Sequence, residues 1–171
     1  WVFMAGYQAA CRHAFAASSF EGWLAYAATE DRKGEPPLPG VTLEGDVVSD
    51  AATLSGYKTW VAGARNVDEL LIKVGTGAEA QYLRIPRSSA GLTIEPGDPK
   101  AFLAELSQGR AGFEGTPVES ANVLDASRIR EFRLLEPLYI YAAFCGFVMG
   151  STEDHDLVTC SRDCLDGVEP A

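Results

Sequence analysis

The stretch Leu54-Ser55-Gly56-Tyr57-Lys58-Thr59-Trp60-Val61-Ala62-Gly63-Ala64 decides the fold, with two apolar runs close behind it at residues 69–74 (ELLIKV) and 81–86 (QYLRIP). Each run is rich in branched or aromatic side chains and ends in turn residues, which is the signature of a strand. The breaks are Ser55-Gly56, Gly75-Thr76-Gly77, Ser88 to Gly91, Gly97-Asp98 and Gly115-Thr116. Shorter strands are predicted at 52–54, 58–62, 92–95, 111–113 and 117–123. Short strands at such spacing argue for a small barrel or a sandwich.

The flanks read differently. Residues 1–15 place Val2, Phe3, Tyr7, Ala10, Cys11, Ala14 and Phe15 at helical spacing, and residues 16–20 are a small-residue connector. Residues 22–29 (GWLAYAAT) read as a buried strand, and residues 31–50 as a long surface loop rich in Gly, Pro and Asp. Residues 127–149 return to helical period, with Pro137 expected to kink the helix or mark its start. Residues 151–171 read as an acidic, irregular tail. The expected class is α+β: a small antiparallel β-barrel flanked by N-terminal and C-terminal helices. The expected divisions are an N-terminal helical segment (1–20), the barrel (21–126), and the start of a C-terminal helical segment with its tail (127–171).

Composition excludes several classes. The chain has 171 residues, 24 acidic and 14 basic, for a net charge of −10. That charge repels phosphate backbones, so nucleic acid is not an expected partner. The length suffices for a real core without disulfides or a structural metal. Four cysteines, Cys11, Cys145, Cys160 and Cys164, make no disulfide framework, and a reducing cytoplasm is the expected compartment. His155, Cys160 and Cys164 lack a second pair at zinc spacing, so no metal is expected. The run from Leu134 to Met149 is interrupted by Glu136 and Pro137, so no membrane span or signal peptide is expected. Trp1 in place of an initiator methionine implies that further sequence precedes this stretch.

Ala28-Thr29-Glu30, then a loop, then Gly56-Tyr57-Lys58-Thr59-Trp60, then Val67-Asp68-Glu69-Leu70 resembles the middle domain of the acyl-CoA dehydrogenase family. That family has a "TE" segment, a "G-x-K-x-W" segment and a strand beginning near an Asp, in this order. The resemblance covers residues 23–149. It implies a flavin-dependent oxidoreductase with FAD as cofactor, an acyl-CoA or other small-molecule substrate, and a homo-oligomer. By position it implies a cofactor-binding set of Ala28, Thr29, Trp60, Val61 and Ala62. Thr29 would reach the flavin edge and Trp60 would lie against the ring.

Two departures stand beside it. No Gly-Ser-Asp follows the "TE" segment, and Ala62 stands where the family has a hydroxyl residue. These imply the alternative reading, a scaffold or binding protein that keeps the fold without flavin. The resemblance names no catalytic base in this stretch. Glu131 and Glu136 lie on the C-terminal helix, where charged residues ordinarily cap or are solvated. Lys58 reads as a solvated strand-edge charge, and His13 as a residue of a helix flank.

Overall fold

The computed structural model describes residues 1–15, 22–31, 33–98 and 106–167. The connector expected at 16–20 and the last residues of the tail lie outside them. The chain forms two compact units: Glu21–Ala126, and Trp1–Phe20 together with Ser127–Ala171.

The first unit is built of strands. β1 (Leu24–Ala27), β4 (Glu69–Val74) and β5 (Gln81–Pro86) form a three-stranded sheet in the order β1-β4-β5. β2 (Thr42–Glu44), β3 (Ala52–Val61), β7 (Gly109–Val118) and β6 (Leu92–Pro96) form a four-stranded sheet in the order β2-β3-β7-β6. The apolar run Leu70-Leu71-Ile72 makes β4 the central strand of its sheet, with all three side chains fully buried. β4 and β5 form an antiparallel hairpin across the turn at Gly75-Thr76-Gly77. β1, however, pairs with β4 in parallel register, Leu24 with Glu69 through Ala27 with Ile72.

The expected antiparallel barrel is therefore corrected to two open sheets, one mixed and one antiparallel, with no closed barrel among the described residues. They share one core: Leu70, Ile72, Leu83 and Ile85 meet Leu54, Val61, Ala111 and Phe113. Hydrophobic alternation requires that core but not the hydrogen-bonded closure, because a sandwich and a barrel bury the same faces.

Three details differ from the sequence reading. β3 is one strand, running through Ser55-Gly56 with a register shift between Leu54 and Ser55. A glycine is needed there: Gly56 has φ of 115°, and a Cβ would lie 2.2 Å from the Gly40 carbonyl oxygen. β2 lies inside the region read as pure loop. The strand expected at 117–123 stops at Val118, and Ser120–Asn122 is a short 3-10 turn in which the Asn122 side chain accepts from the Glu119 N–H at 2.7 Å.

The second unit is helical. α1 (Val2–Phe15) packs on α2 (Ala126–Ser151). Phe132 is met by Tyr7, edge-on at 5.9 Å between ring centroids, and by Phe15 at 5.4 Å. Gly6 allows the two backbones to touch. α2 runs through Pro137 as one helix. By length and composition alone it could cross a membrane. The tail read as irregular contains α3 (His155–Asp166). Asp154 caps it, accepting from the N–H groups of Asp156 at 3.0 Å and Leu157 at 3.1 Å. That cap is a signal present in the sequence.

Candidate functional site

The site begins where the two sheets touch. Thr29 follows β1, Thr59 lies in β3, and the Thr59 N–H donates to the Thr29 carbonyl at 2.9 Å. The Thr59 hydroxyl donates to the same oxygen at 3.3 Å. This corner opens into a hollow of about 570 Å³ lined by Ala28, Thr29, Glu30, Asp31, Lys33 and Thr59. That is within the roughly 300–1,000 Å³ of small-molecule sites.

Lys58 supports the corner from below. It is a charged side chain only 1% exposed, and its ammonium donates to Glu30 Oε1 at 2.5 Å. The same oxygen accepts from the Val41 N–H at 3.3 Å. Burial pushes the Lys58 ammonium below its ordinary range, against the pull of Glu30. The expectation of a solvated lysine is thus overturned. Its partner lies 28 residues away, so no local pattern shows the pairing.

The loop beyond Glu30 folds around Asp31. One carboxylate oxygen accepts from the N–H groups of Lys33 at 3.0 Å and Gly34 at 2.9 Å, and the other from Leu38 at 3.1 Å. These N–H groups hold the Asp31 carboxyl below its usual range. On the other side of the corner, the turn after Ala62 is pinned by Arg87, whose guanidinium donates to the carbonyls of Ala64 at 2.9 Å and Val67 at 3.0 Å.

The predicted cofactor residues fall into three groups. Ala28 and Thr29 line the hollow. Trp60, next to Thr59 on β3, is 42% exposed and so is not a core aromatic. Val61 and Ala62 are buried, and Val61 belongs to the shared core. Sequence reasoning missed Glu30, Asp31, Lys33 and Thr59 as lining residues. The Asp31-x-Lys33-Gly34 spacing, a turn in which an Asp accepts from following N–H groups, was the available signal.

In the helical unit, Glu131 lies 3.9 Å from His13 Nε2 and 3.6 Å from Arg128, an exposed charge cluster. His13 Nδ1 is also 2.7 Å from the Tyr139 hydroxyl. Burial pushes the Glu136 carboxyl up, opposed by Arg133. Cys11 and Cys145 are buried, whereas Cys160 and Cys164 are exposed thiols on α3. Among the described residues no cluster of His, Cys, Asp and Glu could hold a metal ion.

No protein-family model matches this sequence, and no curated protein is similar to it at a significant level. The fold does have solved counterparts. The prolyl acyl carrier protein oxidase AnaB superposes with a TM-score of 0.66 at 17% identity, over 87% of this chain and 47% of that one. An FAD-dependent dehydrogenase superposes at 0.63 and 14% identity, over 96% and 55%. The acyl-CoA dehydrogenase from Geobacillus kaustophilus superposes at 0.56 and 16% identity, over 85% and 46%. The chain spans about half the length of these structures. Over that length it has the acyl-CoA dehydrogenase-like fold.

Proposed function

We propose that this chain provides the flavin-facing surface of an acyl-CoA dehydrogenase-like, FAD-dependent oxidoreductase acting on an acyl thioester or a related small molecule. The observation that carries the reading is the exposed Trp60 beside the Thr29–Thr59 corner, in a fold shared with an FAD-dependent dehydrogenase. A flavin ring needs a flat apolar face and a polar edge. Trp60 offers an exposed indole, and Thr29 an exposed hydroxyl at a hollow of suitable size. When bound, FAD would supply the hydride acceptor. The chain's own part is to stack, orient and shield. The Thr59–Thr29 hydrogen bonds hold the corner, and the Lys58–Glu30 pair ties the lining segment to β3. Val61 and Ala62 serve this site through the core, since their side chains face away from solvent.

A second reading rests on Ala62 and the Asp31 turn. Ala62 is buried and has no hydroxyl to offer a flavin edge, and Asp31 spends both carboxylate oxygens on its own loop. They favour a scaffold that keeps the fold without the cofactor.

Titration with FAD, followed by tryptophan fluorescence, separates the two. The flavin reading expects saturable quenching that is mostly lost in Trp60→Phe. Trp60→Ala should raise the dissociation constant about tenfold, the worth of one aromatic stacking contact. Absence of saturation, or quenching that Trp60→Phe leaves unchanged, would favour the scaffold.

A further inference from the structure

Cysteine is among the residue types most often buried, and Cys11 and Cys145 follow that habit. Cys160 and Cys164 do not: both are exposed, and both lie on α3. Their spacing puts them one helical turn apart. Val158, Ser161 and Leu165 form the half-buried side of α3, whereas Leu157, Cys160 and Cys164 form an exposed stripe beside it. Two free thiols thus share one solvent-facing side of a helix whose start is fixed by Asp154.

The helix sets what the pair can do. Cβ atoms at this spacing are about 5–6 Å apart. A disulfide needs about 3.5–4.5 Å, so an internal S–S bond would require α3 to unwind. A single ion held between the sulfurs needs more room. Two sulfur–metal bonds of about 2.3 Å, nearly in line, set the sulfurs about 4.5 Å apart. Side chains that lean toward each other across one turn reach that span.

The donors choose the ion. Among the described residues no group of three or more His, Cys, Asp and Glu side chains is placed to hold a metal. Zinc, which takes four ligands in structural sites, is therefore not served. His155 lies off the stripe, with Nδ1 3.5 Å from the Thr159 hydroxyl. Asp156 and Asp163 stand near the pair in sequence, but they are hard oxygen donors. Two thiolates alone suit a soft ion of low coordination number, and of the ions that thiolates select, monovalent copper is satisfied by two.

We propose that Cys160 and Cys164 form a two-thiolate clamp for one Cu(I) ion. On binding, two S–H bonds break, their protons pass to solvent, and two S–Cu bonds form. Neither copper nor sulfur changes oxidation state.

Anaerobic titration of the full chain with Cu(I) held by the coloured chelator bathocuproine disulfonate tests this independently of flavin. The wild type withdraws one copper per chain. Cys160→Ser and Cys164→Ser each lower the affinity by more than about 100-fold, since even the outer partners of a metal ligand are worth roughly 10–100-fold. Both keep the wild-type circular dichroism spectrum, because neither thiol is buried. Cys164→Ser combined with Arg162→Cys keeps two thiols on α3 but sets them on opposite sides, and it binds no better than Cys164→Ser alone. Copper that stays with the chelator overturns the proposal. So does uptake that survives in either serine variant, which would place the copper on Cys11 or Cys145. Full uptake by the variant carrying Arg162→Cys would mean adventitious binding by surface thiols, and overturns it as well.

Discussion

Lys58→Ala destabilises the strand unit by about 3 kcal/mol, from a lost buried stem and a broken ion pair. The wild-type side chain is among the largest fully buried ones, and its neighbours cannot all close over the space alanine leaves. Glu30 loses its lysine partner, but its side chain is 31% exposed and water recovers part of that loss. Lys58→Met separates the two effects. It keeps the stem and removes the charge, so its cost falls to about 1 kcal/mol. Urea denaturation of the three proteins measures this. Equal losses for alanine and methionine would mean that charge, not packing, governs the site.

The pair also has a pH signature. The folded Lys58 has its pKa lowered from 10.5 by burial, so between its folded value and 10.5 the unfolded chain binds more protons. Stability rises with pH across that alkaline window as the cost of burying the charge is relieved. Lys73 adds to the lowering and Glu30 opposes it. In Lys58→Met this contribution to the slope disappears.

The second large effect is at Gly6. A glycine inside an exposed helix is worth replacing, since alanine gains about 1 kcal/mol. Here the sign reverses. A Cβ on Gly6 would lie 2.5 Å from Ile140 Cα and 2.5 Å from the Tyr139 carbonyl oxygen, which are backbone atoms that cannot rotate away. Separating α1 from α2 also disturbs Tyr7 and Phe15 on Phe132 and His13 on Tyr139. Gly6→Ala should cost about 2 kcal/mol. Gly146→Ala, with nothing near its Cβ, should instead stabilise by about 0.5–1 kcal/mol. Thermal melts of the helical signal check both signs, and a stabilising Gly6→Ala would show that the two helices do not touch as described.

These residues also mark how far the sequence could be read. The Gly56-Tyr57-Lys58-Thr59-Trp60 strand and its resemblance were legible, because a strand with a glycine at a close approach leaves a local pattern. The runs at β4, β5 and β6 were legible by the same logic. The parallel pairing of β1 with β4 was not, since the partners lie about 45 residues apart and alternation carries no direction. Lys58 looked solvated because a lysine is buried only when paired, and its partner is distant in sequence. α3 was overlooked because its apolar content is low, although Asp154 announced its start. Of the candidate site, Thr29 and Trp60 came from resemblance. Thr59, Glu30 and Asp31 joined it only through the fold, since the corner that gathers them exists where the two sheets meet.

The most direct test of the central claim is the visible absorption spectrum of the purified chain, before and after incubation with excess FAD and removal of the unbound cofactor. The account predicts a retained flavin band, reduced in Trp60→Ala. A colourless protein after that incubation would contradict it and leave a flavin-free scaffold.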